Sequence, residues 1–360
     1  MTLAPVIRAL RTRVSAIACD AGAVGVRAVQ VARPAAGGWR LRDRMQAPRG
    51  ADAGNEHGGL PIERLARLVR QGDFHGREVA LLVGAPLASF HSLRLPERLL
   101  DQSPARVREA LALEVTREAR AEPGELEVRY WPMVRSMGPN VMAVSLRAAW
   151  ARAWFERFAA AGLTLCRIEA TPCALVRAAC ESHPPSADEA WGVLDLGQDR
   201  STLTIAIGDT PQYVRELQTS GISLTRDLSS GFEITVDEAE QLKRTHGLRP
   251  AETDARDEGN ASAGAEQISG AVFDLLRGPL EKLTREIGTC FTYVLNSLPD
   301  ANASRLLLAG GGARLRGLAE WLELQLGIQV SVLGGIDHDP AAPEFAAAFG
   351  AALLDAELAR

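Results

Sequence analysis

The chain has 360 residues with a formal net charge of −5 and a pI near 5.8, and 46% of its residues are hydrophobic against 24% charged. That length exceeds one ordinary core and calls for two or more lobes, the composition belongs to a folded chain, and the acidic balance gives no footing for bulk nucleic-acid binding. No run approaches the roughly 18–20 apolar residues of a membrane helix, and no apolar segment follows Arg8, Arg11 and Arg13, so no secretory leader is expected.

Apolar alternation predicts strands near 14–20, 25–32 and 39–44, then a Gly-, Pro- and Asp-rich loop, QAPRGADAGNEHGG, and a short helix near 61–71. Residues 78–146 read as a small β-β-α-β-β sheet module. Its strands are EVALLVGAP, SFHSLRL, LEVRYWPM and NVMAVSL. Its helix, 104–121, has Ser103 as N-cap and Pro104 at the first position. A helix over 147–161 and the strand LTLCRIEA return the chain to the first lobe, and a helix from Pro172 leads to the break SHPPSADEA. The second lobe opens near 190 with strands near 191–196, 201–207 and 211–217 and helices near 221–231 and 235–247. The acidic segment RPAETDARDEGNASAGAEQ reads as a solvated surface loop. A long helical stretch, 267–297, precedes strand, glycine turn and amphipathic helix in RLLLAGGGARLRGLAEWLELQLG, where Leu315, Leu318, Leu322 and Leu326 recur at helical spacing. A strand IQVSVL and an Ala-rich helix finish the chain. The expected divisions are 1–77 and 147–189 for the first lobe, 78–146 for the module and 190–335 for the second lobe, with a helical and acidic insert over 231–284. Residues 336–360 return to the first lobe.

Two stretches repeat one pattern: apolar strand, Asp, any residue, Gly, short turn, apolar strand. They centre on Asp20 and Gly22 and on Asp195 and Gly197, and imply a duplicated architecture. Glycine at such a bend lets backbone N–H groups approach an anion. A carboxylate at the strand end suits magnesium held through water. Facing hairpins of this kind would pinch the phosphates of one nucleotide, with Ser201 and Thr202 adding hydroxyls in the second. Gly310, Gly311 and Gly312, between a strand and a helix, would let the backbone lie flat against a base or ribose.

The order of these three elements resembles the actin-like ATPase superfamily, an α/β fold of two ribonuclease-H-like lobes. Within it the chain is most similar to the PilM family of type IV pilus assembly proteins. The hairpins match its two phosphate loops, Gly310–Gly312 its adenosine motif, the module at 78–146 the insertion also found in FtsA, and Glu238-Ala239-Glu240-Gln241-Leu242-Lys243 a segment recurring in PilM. The resemblance spans roughly 14–355. It implies ATP and magnesium, the latter held through water by Asp20 and Asp195. It also implies docking of a short N-terminal cytoplasmic peptide of a PilN-like inner-membrane protein, where the module meets the first lobe. Bound nucleotide would then bias the angle between the lobes and so partner binding. The implied place is cytoplasmic, peripheral at the inner membrane through that partner, with a homo-oligomer possible.

Departures from the family pattern bear on mechanism. The first loop has Ala23, Val24, Gly25 and Arg27 where serines and a lysine are usual. In the second, Asp199 adds negative charge that Arg200 is placed to offset. The water-positioning glutamate of chaperone relatives is replaced by Thr171, with Glu169 two positions earlier on the same strand face. ATP binding without vigorous hydrolysis is therefore expected. The alternatives are a degenerate MshI- or GspL-like pseudo-ATPase scaffold, an FtsA-like filament or division protein, and, further off, a sugar kinase or chaperone-type ATPase. The five cysteines form no CxxC pair and read as reduced, buried thiols. The six histidines show no metal spacing, and the DHDP segment, 337–340, reads as a surface turn.

Overall fold

The structure, a computed structural model, describes residues 13–33, 38–50, 56–133, 138–248, 263–298, 302–334 and 342–357. Arg8, Arg11, the DHDP turn and most of the acidic segment lie outside them. The chain divides into two compact units, one of residues up to 185 with 209–212 and the segment from 334, the other of 186–208 and 213–333.

The first unit is built on β1 (Arg13–Val14), β2 (Ile17–Ala21), β3 (Gly25–Arg33), β4 (Arg40–Pro48) and β5 (Glu78–Val83). An excursion follows through β6 (Ala88–Leu93), β7 (Leu126–Pro132) and β8 (Val141–Arg147) before β9 (Thr164–Ala170) rejoins the sheet. The main sheet runs β4-β3-β2-β5-β9, with β1 also on β3. The β2–β3 pair is an antiparallel hairpin, while β2, β5 and β9 are parallel. Helix α1 (Ile62–Gln71) carries Ile62, Leu65, Ala66 and Val69 on one stripe and buries them against Ile17, Cys19, Val26 and Ala28 of the hairpin. Each of the Ile, Leu and Val side chains contributes about 1.5–3 kcal/mol when fully buried.

Helix α2 (Pro104–Ala119) lies on the sheet β6-β8-β7, burying Val107, Leu111 and Val115 against Val128, Val141 and Ala143. Phe90, Val144 and Leu146 pack instead with the first-unit core. The inserted module begins later than its sequence suggests. The strand Glu78–Val83, expected as its first, pairs with β2 and β9 and belongs to the main sheet. Its residues Val79–Val83 are all buried, as a parallel strand covered on both faces requires. What remains is β-α-β-β. Ser103 does occupy the N-cap position of α2 but makes no side-chain cap bond. Helices α3 (Ala148–Ala160) and α4 (Thr171–Ser182) complete this part of the unit.

The second unit repeats the plan. Strands β10 (Ala190–Leu196), β11 (Ser201–Ile207), β12 (Thr210–Leu217), β13 (Ala303–Ala309) and β14 (Gln329–Val332) form the order β12-β11-β10-β13-β14. Again an antiparallel hairpin, β10–β11, is followed by parallel neighbours, β13 and β14. Helices α5 (Gly221–Phe232), α6 (Val236–His246), α7 (Ala263–Leu295) and α8 (Leu318–Leu326) supply the rest of its core. There Leu224, Leu228, Leu276, Leu280 and Ile287 meet Leu194, Leu196, Leu203 and Ile205. Capping boxes start α5 at Ser220 and α6 at Thr235. The final helix, α9 (Ala346–Glu357), packs on α4, β2 and β3 of the first unit.

Candidate nucleotide site

In the first unit Asp20, Gly22, Gly84 and Thr171 all lie at the C-terminal ends of parallel strands, because Cys19 pairs with Leu81 and Val83 with Ala170. Ligands of open α/β sheets collect at this edge. The Gly22 N–H donates to Gly25 O at 2.9 Å and closes the β2–β3 turn. Asp20 stands directly across from Arg27, whose Nη1 donates to Asp20 Oδ2 at 3.0 Å. The turn is also braced from behind: Arg49 Nη1 donates to Gly22 O at 2.9 Å, and the Arg49 N–H to Val24 O.

The second hairpin has the same construction and a different chemistry. Gly197 N–H donates to Arg200 O at 3.0 Å, and Asp195 stands directly across from Thr202. Ser201 and Thr202, adjacent on β11, point to opposite faces. Only Thr202 shares the face of Asp195; Ser201 lies across from Leu196 and is fully buried. The two hydroxyls expected together are thus separated by the pleat. Arg200, expected to offset Asp199, instead pairs with Glu216 on β12.

The glycine turn meets this hairpin within the same unit. Asp195 pairs with Ala309 in parallel register, so Gly310, Gly311 and Gly312 emerge beside Leu196 and Gly197. Gly310 has φ +77°, and a Cβ there would overlap Asp195 Oδ1 and sit 2.8 Å from Leu196 O. A Cβ on Gly312 would overlap the Leu196 side chain, whereas one on Gly311 would meet nothing within 4 Å. Glycine is therefore required at two of the three positions, to let the turn lie against the acidic strand end. The opening of α5 closes the other side, with Gly221 N–H donating to Gly197 O at 2.9 Å and Ile222 N–H to Gln198 O at 2.7 Å.

A buried charge network missed by the motif reading holds α5 there. Lys243 of α6, only 8% exposed, donates to Gly221 O at 2.9 Å and Thr225 Oγ1 at 2.6 Å, and pairs with Glu240 at 2.6 Å. Burial pushes the Lys243 pKa down. Burial would push Glu240 up, but hydrogen bonds from Lys243, Thr225 and Arg244 outweigh it and leave its pKa lowered. The signal in the sequence was the Glu240-x-x-Lys243 spacing on one helix face.

Thr171 begins α4, and a Cβ on Gly84 would lie 3.3 Å from its Oγ1. Glu169 is buried between Arg177 at 2.5 Å and Arg167 at 3.3 Å. Both arginines also donate to α9, Arg177 to Gly350 O at 3.0 Å and Arg167 to Ala351 O at 2.8 Å. That arrangement makes Glu169 a structural anchor for the last helix. Of the five thiols, Cys19 and Cys290 are buried but Cys166 is exposed, against expectation. Burial raises the Cys173 pKa to about 12, so it is no nucleophile at neutral pH.

Magnesium does not fit the first hairpin. Its one carboxylate already accepts from a guanidinium, and Ala23, Val24 and Gly25 offer no hydroxyl. Among the described residues no group of three His, Cys, Asp or Glu is placed to hold a metal ion. Asp195 with Thr202 opposite it is a donor set that suits a metal held through water.

The family described as cell division protein FtsA matches residues 192–350. No curated protein matches the chain. Among solved structures, a chain of the PilM-PilN type IV pilus biogenesis complex is similar with a TM-score of 0.73 and 21% identity, over 94% of this chain and 98% of its own. MreB 5 of Spiroplasma citri bound to AMPPNP gives a TM-score of 0.52 at 11% identity, over 97% of this chain and 98% of its own. The ethanolamine utilization protein EutJ from Carboxydothermus hydrogenoformans gives 0.51 at 16%, over 95% and 89%. At these identities the likeness is one of fold.

Proposed function

We infer that this chain, which has the actin-like ATPase fold, serves as a cytoplasmic scaffold of a type IV pilus or related inner-membrane assembly platform. It docks the short N-terminal cytoplasmic peptide of a PilN-like membrane protein, at the junction of the β6–β8 module with the first sheet. It binds ATP at its acidic hairpins and glycine turn, with little or no turnover. The observation carrying this reading is the likeness to the PilM chain over nearly the whole of both proteins. The inserted module and the Glu238–Lys243 segment support it. Among the described residues no helix is long and apolar enough to cross a membrane, which suits a part held at the membrane through its partner.

Asp195, Thr202, Gly197 and Gly310–Gly312 would hold the nucleotide in the second unit, where ATP would supply a ligand-dependent bias on conformation. Scaffold is favoured over enzyme because Glu169 is committed to Arg167 and Arg177. A second reading within the same class, an MshI- or GspL-like pseudo-ATPase, draws on the Asp20–Arg27 pair. The test is capture of the purified chain by an immobilised N-terminal peptide of a PilN-like protein, against a scrambled peptide, with ATPase activity assayed in parallel. Selective capture and slow turnover are expected. Rapid turnover without capture would replace the scaffold by an enzyme.

A further inference from the structure

The two hairpins match position for position, so one difference between them stands out chemically. In each, an acid at the strand end faces the residue seven positions on, and a glycine N–H closes the turn onto the residue three further along. Opposite Asp195 that residue is Thr202, a hydroxyl; opposite Asp20 it is Arg27, a guanidinium. The Asp20 and Arg27 side chains are 19% and 14% exposed, so their pairing is weakly screened. The same guanidinium covers Gly22, where a Cβ would lie 3.2 Å from Nη1. The buried Arg27 Nε–H finds no acceptor among the described residues, which leaves a donor over for an oxyanion. Arg49, donating to Gly22 O, is a second fixed cation at the turn. One guanidinium thus holds the carboxylate while a second holds the turn's main chain, and a divalent cation brought to Asp20 would meet the Arg27 charge at contact distance.

We propose that the Arg27 guanidinium takes the place of the divalent metal at the first hairpin, so that this chain binds the polyphosphate of a nucleoside di- or triphosphate without magnesium. The proposal rests on the nucleotide reading above. A planar guanidinium suits it, because it meets phosphate oxygens through fixed, charge-assisted donors. Asp20 keeps the group aimed.

The experiment titrates the full chain with a fluorescent ATP analogue, once in EDTA and once in millimolar magnesium. The two dissociation constants are expected to agree within about threefold, well under one decade of affinity. Arg27→Ala should weaken binding in EDTA by about tenfold or more, the worth of one charge-assisted hydrogen bond. By releasing the Asp20 carboxylate it should also make binding magnesium-dependent, a gain that misfolding cannot produce. Arg27→Lys should keep metal independence at reduced affinity. In the same variants water proton relaxation should report one manganese site beyond any at Asp195 only once Arg27 is gone. Wild-type binding that requires magnesium, or Arg27→Ala binding as tightly as wild type in EDTA, overturns the proposal and leaves the nucleotide reading standing. No binding in either buffer overturns the nucleotide reading, and the proposal with it.

Discussion

Lys243 on α6 donates its ammonium to the main-chain oxygen of Gly221, the first residue of α5, at 2.9 Å. The N–H groups of Gly221 and Ile222 in turn close onto the second hairpin at Gly197 O and Gln198 O. A run of bonds therefore links a helix far along the chain to the turn after Asp195. Lys243→Met keeps the stem and removes the charge, so Gly221 O and Thr225 Oγ1 each lose the ammonium donor, Gly221 O keeps only Thr225 Oγ1 as a side-chain donor, and Glu240 loses its buried partner. The expected loss is about 3 kcal/mol, the low end for breaking a buried pair, because Glu240 retains Arg244 at 2.7 Å. Urea unfolding of the variant and wild type measures it.

The same pair predicts an acid-sensitive term. The folded-state pKa of Glu240 is lowered, so its stabilising contribution is present above the unfolded value of about 4.3 and is lost as pH falls through the folded value. The stability gap between wild type and Glu240→Gln should accordingly be constant near neutrality and shrink below about pH 4.3. Unfolding free energies across that range read it directly. A gap that widened with acid would reverse the sign argued here.

The glycine turn gives a position-by-position contrast. Gly310→Ala places a side chain at φ +77° and against Asp195, and Gly312→Ala drives one into Leu196. Both should destabilise by about 1–3 kcal/mol through overpacking and backbone strain. Gly311→Ala, with open space around it, should stay within about 0.5 kcal/mol of wild type. Thermal melts of the three variants decide it; equal effects would contradict the close approach of turn and strand.

Gly350 sets how closely α9 crosses α4. A Cβ there would fall on Ala174 O, which is backbone and cannot move aside like a side chain. Gly350→Ala should therefore destabilise by about 3 kcal/mol, and the neighbouring Arg177 bond to Gly350 O should be disturbed with it. The measurement is a denaturant titration, in which a neutral outcome would show that the helices separate easily.

Glu169→Gln tests whether that acid anchors or catalyses. Its two arginines stay buried after the substitution, so a loss of about 3 kcal/mol is expected. Any residual ATPase rate per folded molecule should be unchanged. A rate that collapsed while stability held would give Glu169 a catalytic part.

Much of this arrangement is legible in the amino-acid sequence. Asp20 and Asp195 were placed at strand ends and the three glycines between strand and helix because local periodicity and turn chemistry set those features. Sheet membership was not local in that way. An apolar run such as Val79–Val83 shows that a strand is buried, not which neighbours it pairs with. The Asp20–Arg27 pair depended on cross-strand register, which the closure of Gly22 onto Gly25 settles. Glu169 was legible as an acid at the right place and its partner Arg177 lies only eight residues on, while the tie of Arg177 to α9 reaches across 173 residues. Ser103 illustrates the reverse error, a cap residue in the cap position whose side chain makes no cap bond.

The central claim is that this chain is a docking partner for a membrane protein's cytoplasmic tail. Its most direct test is fluorescence anisotropy of a labelled N-terminal PilN-like peptide titrated with the folded full chain, with a scrambled peptide as control. Saturable binding of the native peptide, at least about tenfold tighter than the scrambled one, is predicted. Equal or undetectable binding of both, with and without ATP, would contradict the account.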